Sequence, residues 1–165
     1  MTSTQLAPAI LIPFVVWRIY VRARRNIGRQ PLRPAGLAVR LAIYTGIVGL
    51  VTIFAAPFLT SLEAEVGGLI VGVALAVLGL RLTRWEMTSA GNFYTPNALL
   101  GIGLTLLFVG RLVYRFTVLL ANPPEIGAPP PPLFQSPLTL LIFGVTAGYY
   151  LAYTAGVLVR GRRGA

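Results

Sequence analysis

The chain has 165 residues, 56% hydrophobic and 11% charged, with fourteen arginines, no lysine, four glutamates and a formal net charge of +10. Soluble domains carry about 25% charged residues, so this composition belongs to the membrane class, and the length fits one integral membrane domain over 1–165. Cys, His and Asp are absent, which excludes disulfides, iron–sulfur clusters and histidine-ligated haem or metal and leaves triad or paired-carboxylate catalysis almost no material; no enzyme activity, cofactor or metal is expected.

Five apolar runs approach the ~20 residues that a helix needs to cross a bilayer core about 30 Å thick. The first, Ala7–Tyr20, is short and carries Pro8 and Pro13. Its charges follow the apolar stretch and no A-x-A site comes after it, so it reads as a retained anchor rather than a signal peptide. The connection beyond it holds Arg22, Arg24, Arg25, Arg29 and Arg33. A polybasic segment just inside a span attracts anionic lipid at about 1 kcal/mol per residue. No aromatic interleaving or nucleic-acid module accompanies it. Lipid headgroups at Arg22, Arg24 and Arg25 are therefore the expected partners, and nucleic acid is not.

The second run is Leu37–Leu59 and the third Val66–Leu80, with Glu63 and Glu65 in the outer connection between them. The third repeats small residues at four-residue spacing, Gly68, Gly72 and Ala76, which puts them on one helix face where backbones can approach closely. The next connection, RLTRWEMTSAGNFYTPN, contains Arg81, Arg84 and Glu86. Its Ser89-Ala90-Gly91-Asn92 centre suits a tight turn, so a short cytoplasmic β-hairpin is expected, with Trp85, Phe93 and Tyr94 at headgroup depth. Asn97 is placed to cap the fourth span.

The fourth run, Ala98–Ala121, includes Arg111 and Arg115 one turn apart. At ~1.5 Å per residue Arg111 lies about 20 Å along the helix, where an unpaired charge costs at least ~2.5 kcal/mol. Glu63, Glu65 or the hydroxyls of Tyr149, Tyr150 or Tyr153 are the expected partners. A structural ion pair and a binding site for an anionic group both fit. The loop NPPEIGAPPPPLFQSP is an extended outside connection, because proline lacks an amide donor and presets φ. The fifth run, Leu138–Val159, has a second small-residue ladder of Gly144, Gly148, Ala152 and Gly156. The two ladders serve either helix packing within the chain or a homodimer seam.

Odd-numbered connections and the tail, with Arg160, Arg162 and Arg163, are basic, whereas even-numbered ones are acidic or neutral. By the positive-inside rule this predicts an all-α, five-span protein of the bacterial inner membrane, N-terminus out and C-terminus in.

The run LTRWEM, the Gly-Asn turn, FYTPNALLGIGL and LFVGRLVYRF together resemble the core of the CcdC-like family of small bacterial membrane proteins. Thr83, Arg84, Trp85, Glu86, Tyr94, Arg111 and Arg115 carry that resemblance; the proline-rich loop and all-arginine basic set depart from it. The resemblance implies an association with cytochrome c biogenesis. A direct role in reducing apocytochrome thiols or ligating haem iron conflicts with the absence of Cys and His. The expected role is therefore that of a non-enzymatic accessory or assembly protein binding another membrane protein or a second copy of itself. The alternative is a small oligomeric transporter or lipid- or anion-binding protein. Candidate ligand or ion-pair residues are Arg111, Arg115, Glu86, Arg84 and Tyr94, and Gly68, Gly72, Gly144, Gly148 and Gly156 are the packing positions.

Overall fold

The computed structural model describes residues 30–88, 91–121 and 133–163. The elements run β1 (Gln30–Pro31), α1 (Pro34–Ala55), α2 (Leu59–Arg81), β2 (Arg84–Thr88), β3 (Gly91–Thr95), α3 (Ala98–Ala121), a 3-10 turn (Leu133–Gln135) and α4 (Pro137–Arg163). All four helices are long and apolar enough to cross a membrane. The expected span at 7–20 and the arginines Arg22, Arg24 and Arg25 lie outside the described residues, which hold the other four expected spans.

Helix α1 opens with Pro34 at its first position, where a missing amide costs nothing. It stops ahead of Pro57, which cannot donate to continue the ladder. The chain turns within three residues: the Phe58 amide donates to the Ala55 carbonyl, and the Ser61 and Leu62 amides donate to that of Phe58. Helix α2 therefore begins at Leu59, seven residues earlier than the sequence suggests. This is a correction: Glu63 and Glu65 lie inside the helix rather than in a loop, and the span that looked short has 23 residues.

Helices α2 and α4 form the centre of the bundle. The buried residues of α2 are Ser61, Glu65, Gly68, Gly72, Ala76 and Gly79, a stripe of small or polar side chains at helical spacing. Opposite it, Gly144 and Gly148 of α4 are buried as well. A Cβ on Gly72 would meet the Val145 carbonyl and lie 2.7 Å from the Tyr149 amide, and one on Gly148 would lie 2.6 Å from the Leu69 carbonyl. The backbones touch, which only glycine permits. Both ladders thus pack against each other within one chain, with Gly156 resting on Leu80 further along.

Helix α1 lies on this pair through Tyr44, whose ring sits 5.9 Å from that of Tyr150 of α4, and it meets the 3-10 turn through a stack of Phe54 on Phe134 at 5.3 Å. Helix α3 has no buried residue.

The hairpin forms as expected, and β1 extends it to a three-stranded antiparallel sheet in the order β1-β3-β2. Trp85 pairs with Tyr94 and Glu86 with Phe93, while Gln30 pairs with Tyr94 from the other side. The sheet seals one end of the bundle: Leu37, Tyr94 and Val157 are buried together, with Leu32, Leu80 and Trp85 packed around them.

Candidate functional site

The candidate residues separate into two groups at opposite ends of α3. Asn97 caps this helix, its Oδ1 accepting from the Leu99 amide at 3.1 Å. Arg111 then lies about 20 Å along it at ~1.5 Å per residue.

At the sheet end, strand alternation sets the geometry. Trp85 and Tyr94 are directly opposed and face the helices, with ring centroids 6.2 Å apart. The Arg160 guanidinium covers the Trp85 ring at 5.0 Å, and the Tyr94 hydroxyl donates to Gln30 Oε1 at 3.0 Å. Burial pushes the Tyr94 phenol above its ordinary value, and the positive charge of Arg40 opposes that shift. Arg84 and Glu86, also two residues apart, share the other face and are exposed. The structure therefore does not bring Tyr94 together with Arg84 and Glu86. Tyr94 seals the bundle end, while the charged pair points away from it.

At the other end, Arg111 and Arg115 do come together. They line a pocket of about 360 Å³ with Tyr114, Val118, Leu119, Gln135 and Ser136. Arg111 donates from Nε to Thr139 Oγ1 and from Nη2 to Ser136 Oγ, each at 3.3 Å, and lies 5.5 Å over the Tyr114 ring. Thr139 in turn donates to Ser136 Oγ at 3.1 Å. These partners replace the ones expected from sequence. Glu63 is exposed, and Glu65 is engaged by Thr52 of α1. Tyr150 bonds Gly101 and Thr105, Tyr153 bonds Thr83, and Tyr149 lies on Gly79. The hydroxyls were missed because Ser136 and Thr139 lie 25 and 28 residues from Arg111 along the chain, a juxtaposition with no local signature. The resulting pocket has two guanidinium groups at its polar rim and an apolar wall of Val118 and Leu119. Its chemistry suits an anionic group attached to an apolar body.

A further polar site escaped the sequence reading. Glu65 is fully buried between α1 and α2, with Ser61 buried one turn before it. The signal was available: Ser61 and Glu65 continue the Gly68–Gly72–Ala76 spacing backwards, which places them on the packed face of a longer helix.

A family model described as CcdC protein matches residues 2–164. The chain belongs to the CcdC protein family. It is also 26% identical over 163 residues to Protein csk22 of Bacillus subtilis (strain 168), covering 96% of this chain and 87% of that protein. No solved structure matches. The family and the four apolar helices together make this a multi-pass membrane protein.

Proposed function

We propose that this CcdC-family protein is a non-enzymatic accessory or assembly component of the bacterial cytoplasmic membrane. It lies with its N-terminus out and the sheet and C-terminus in, and it binds another membrane component within the setting of cytochrome c biogenesis. The observation that carries this reading is α3, a 24-residue span without one buried residue, which meets α4 through Gly101, Thr105 and Arg111. Its remaining face carries Leu99, Gly103, Leu106 and Gly110 at helical spacing, and no described residue lies within 4 Å of a Cβ at either glycine, so a partner's span can approach closely there.

Native mass spectrometry of the protein released from its own membrane tests this. A stoichiometric second protein, lost when Gly103 and Gly110 are changed to Leu, is the expected result. A homo-oligomer holding only an anionic lipid or small molecule would instead support the second reading, a lipid- or anion-binding protein, which the Arg111–Arg115 pocket favours. Orientation is open to a separate test, since the chain is free of cysteine. A membrane-impermeant thiol reagent applied to intact cells should label Gln135→Cys and spare Glu86→Cys. The reverse pattern would invert the topology.

A further inference from the structure

Independently of that reading, we propose that Glu65 is a proton-binding site: the folded protein holds it as a neutral carboxylic acid, donating from Oε1 to the Thr52 hydroxyl and so fastening α1 to α2.

The Thr52 hydroxyl lies 2.9 Å from the Val48 carbonyl oxygen one turn back on α1, and 2.9 Å from Glu65 Oε1. Both neighbours are acceptors when Glu65 is ionised, and the hydroxyl owns one hydrogen. A single hydrogen shared between two acceptors leaves one arm long, as where Thr146 lies 2.9 Å from the Ile142 carbonyl and 3.4 Å from that of Leu104. Two short contacts at 2.9 Å fit two hydrogens, and the atom in the trio able to carry the second is the carboxyl oxygen.

Another threonine in the same bundle shows the complete arrangement. The Thr83 hydroxyl donates to the Gly79 carbonyl at 2.8 Å and meets the Tyr153 hydroxyl at 2.8 Å. The threonine spends its hydrogen on its own helix, as Ser and Thr side chains do, and the residue from another element brings a hydrogen of its own. Thr52 repeats this geometry with a glutamate in the tyrosine's place, and by the same arrangement the glutamate brings the hydrogen.

The surroundings agree. Glu65 Oε2 and Ser61 Oγ are buried with no hydrogen-bond partner among the described residues. A bare oxygen on an ionised carboxylate is far more costly in such a place than the carbonyl oxygen of a neutral acid. The charged residue of α1 is Arg40, three turns from Thr52, and α4 carries none before Arg160. The titratable side chains of α1 and α4 that lie nearer are Tyr44, Tyr149, Tyr150 and Tyr153, which pack on one another. Arg111 of α3 is held by Ser136 and Thr139. Withdrawing the proton would leave a buried charge and one hydrogen for two acceptors, so the α1–α2 contact is coupled to proton occupancy.

Infrared spectroscopy of the full chain in lipid bilayers at neutral pH provides the test. The expected spectrum contains the carbonyl stretch of a protonated carboxylic acid, shifted by deuterium exchange. That band should be absent in Glu65→Gln, kept in Glu63→Gln, and moved in frequency by Thr52→Val, which removes its hydrogen-bond acceptor. Absence of the band, or its survival in Glu65→Gln, would overturn the proposal and leave an ionised carboxylate sharing a bifurcated hydroxyl. Should Glu65→Gln fail to fold, carbon-13 spectra of the wild type labelled at glutamate decide the question. One carboxyl resonance of neutral-acid type that responds to Thr52→Val supports the site, and four carboxylate resonances refute it.

Discussion

Helices α2 and α3 are nearly alike in length, 23 and 24 residues, and both are apolar along most of their course. Their places in the molecule differ completely. Helix α2 buries six residues against its neighbours and α3 buries none. The difference is one of side-chain size rather than greasiness. Lipid chains are as apolar as leucine, so leucine-rich surfaces gain nothing by meeting each other in a bilayer, whereas close backbone packing does bring a gain. On α2 the small residues form one stripe that meets a matching stripe on α4. On α3, by contrast, a Cβ added to Gly103 or Gly110 would meet nothing within 4 Å. Helix α3 is held instead by polar contacts: Tyr150 on Gly101 and Thr105, and Arg111 on Ser136 and Thr139.

The contrast can be broken most forcefully at its tight side. Gly72→Ala places a methyl group against the backbone of α4, and overpacking of this kind costs roughly 1–3 kcal/mol or more where backbone must move. Unfolding in mixed micelles should show a loss at the upper end of that range; a neutral result would mean that the α2–α4 seam is looser than described. Next in size is Arg111→Leu, which removes two long, partly buried hydrogen bonds, together worth about 2 kcal/mol. Helical content measured by circular dichroism should persist, while crosslinking between α3 and α4 falls and any bound anion is lost.

Tyr150→Phe should cost about 1 kcal/mol by the same unfolding assay, the usual net value of one hydrogen bond. It also leaves the Gly101 carbonyl and Thr105 to serve each other. The smallest effect belongs to Gly103→Ala. Open space surrounds that position, and alanine is favoured over glycine in a helix interior by about 0.5–1 kcal/mol. Stability should stay level or rise slightly. A marked loss would reveal a partner packed on α3 and sharpen the accessory reading.

Much of this architecture was legible. The α3 boundaries, the hairpin, the Asn97 cap and both glycine ladders follow from local rules of length, turn chemistry and four-residue spacing. The start of α2 was misjudged because two glutamates in a row of apolar residues look like a loop when hydropathy alone is read. Pro57 was the better signal, since it ends α1 on grounds of missing hydrogen bonds. The split of the candidate residues between two ends was partly legible too. Arg84 and Glu86 are two apart on a strand and share a face, whereas Tyr94 sits across from Trp85 and faces the other way.

By itself the sequence determined the class of the molecule, the length and spacing of its spans and the faces on which small residues gather. These depend on neighbours within a turn of helix or a pair of strands. Tertiary structure alone decided that the two ladders meet each other in one chain. It also decided that Arg111 finds Ser136 and Thr139 instead of a carboxylate, and that Glu65 ends against a hydroxyl with no hydrogen to spare. Each of those pairings joins residues at least thirteen positions apart, and only the packed bundle brings them within reach of a hydrogen bond or a backbone contact.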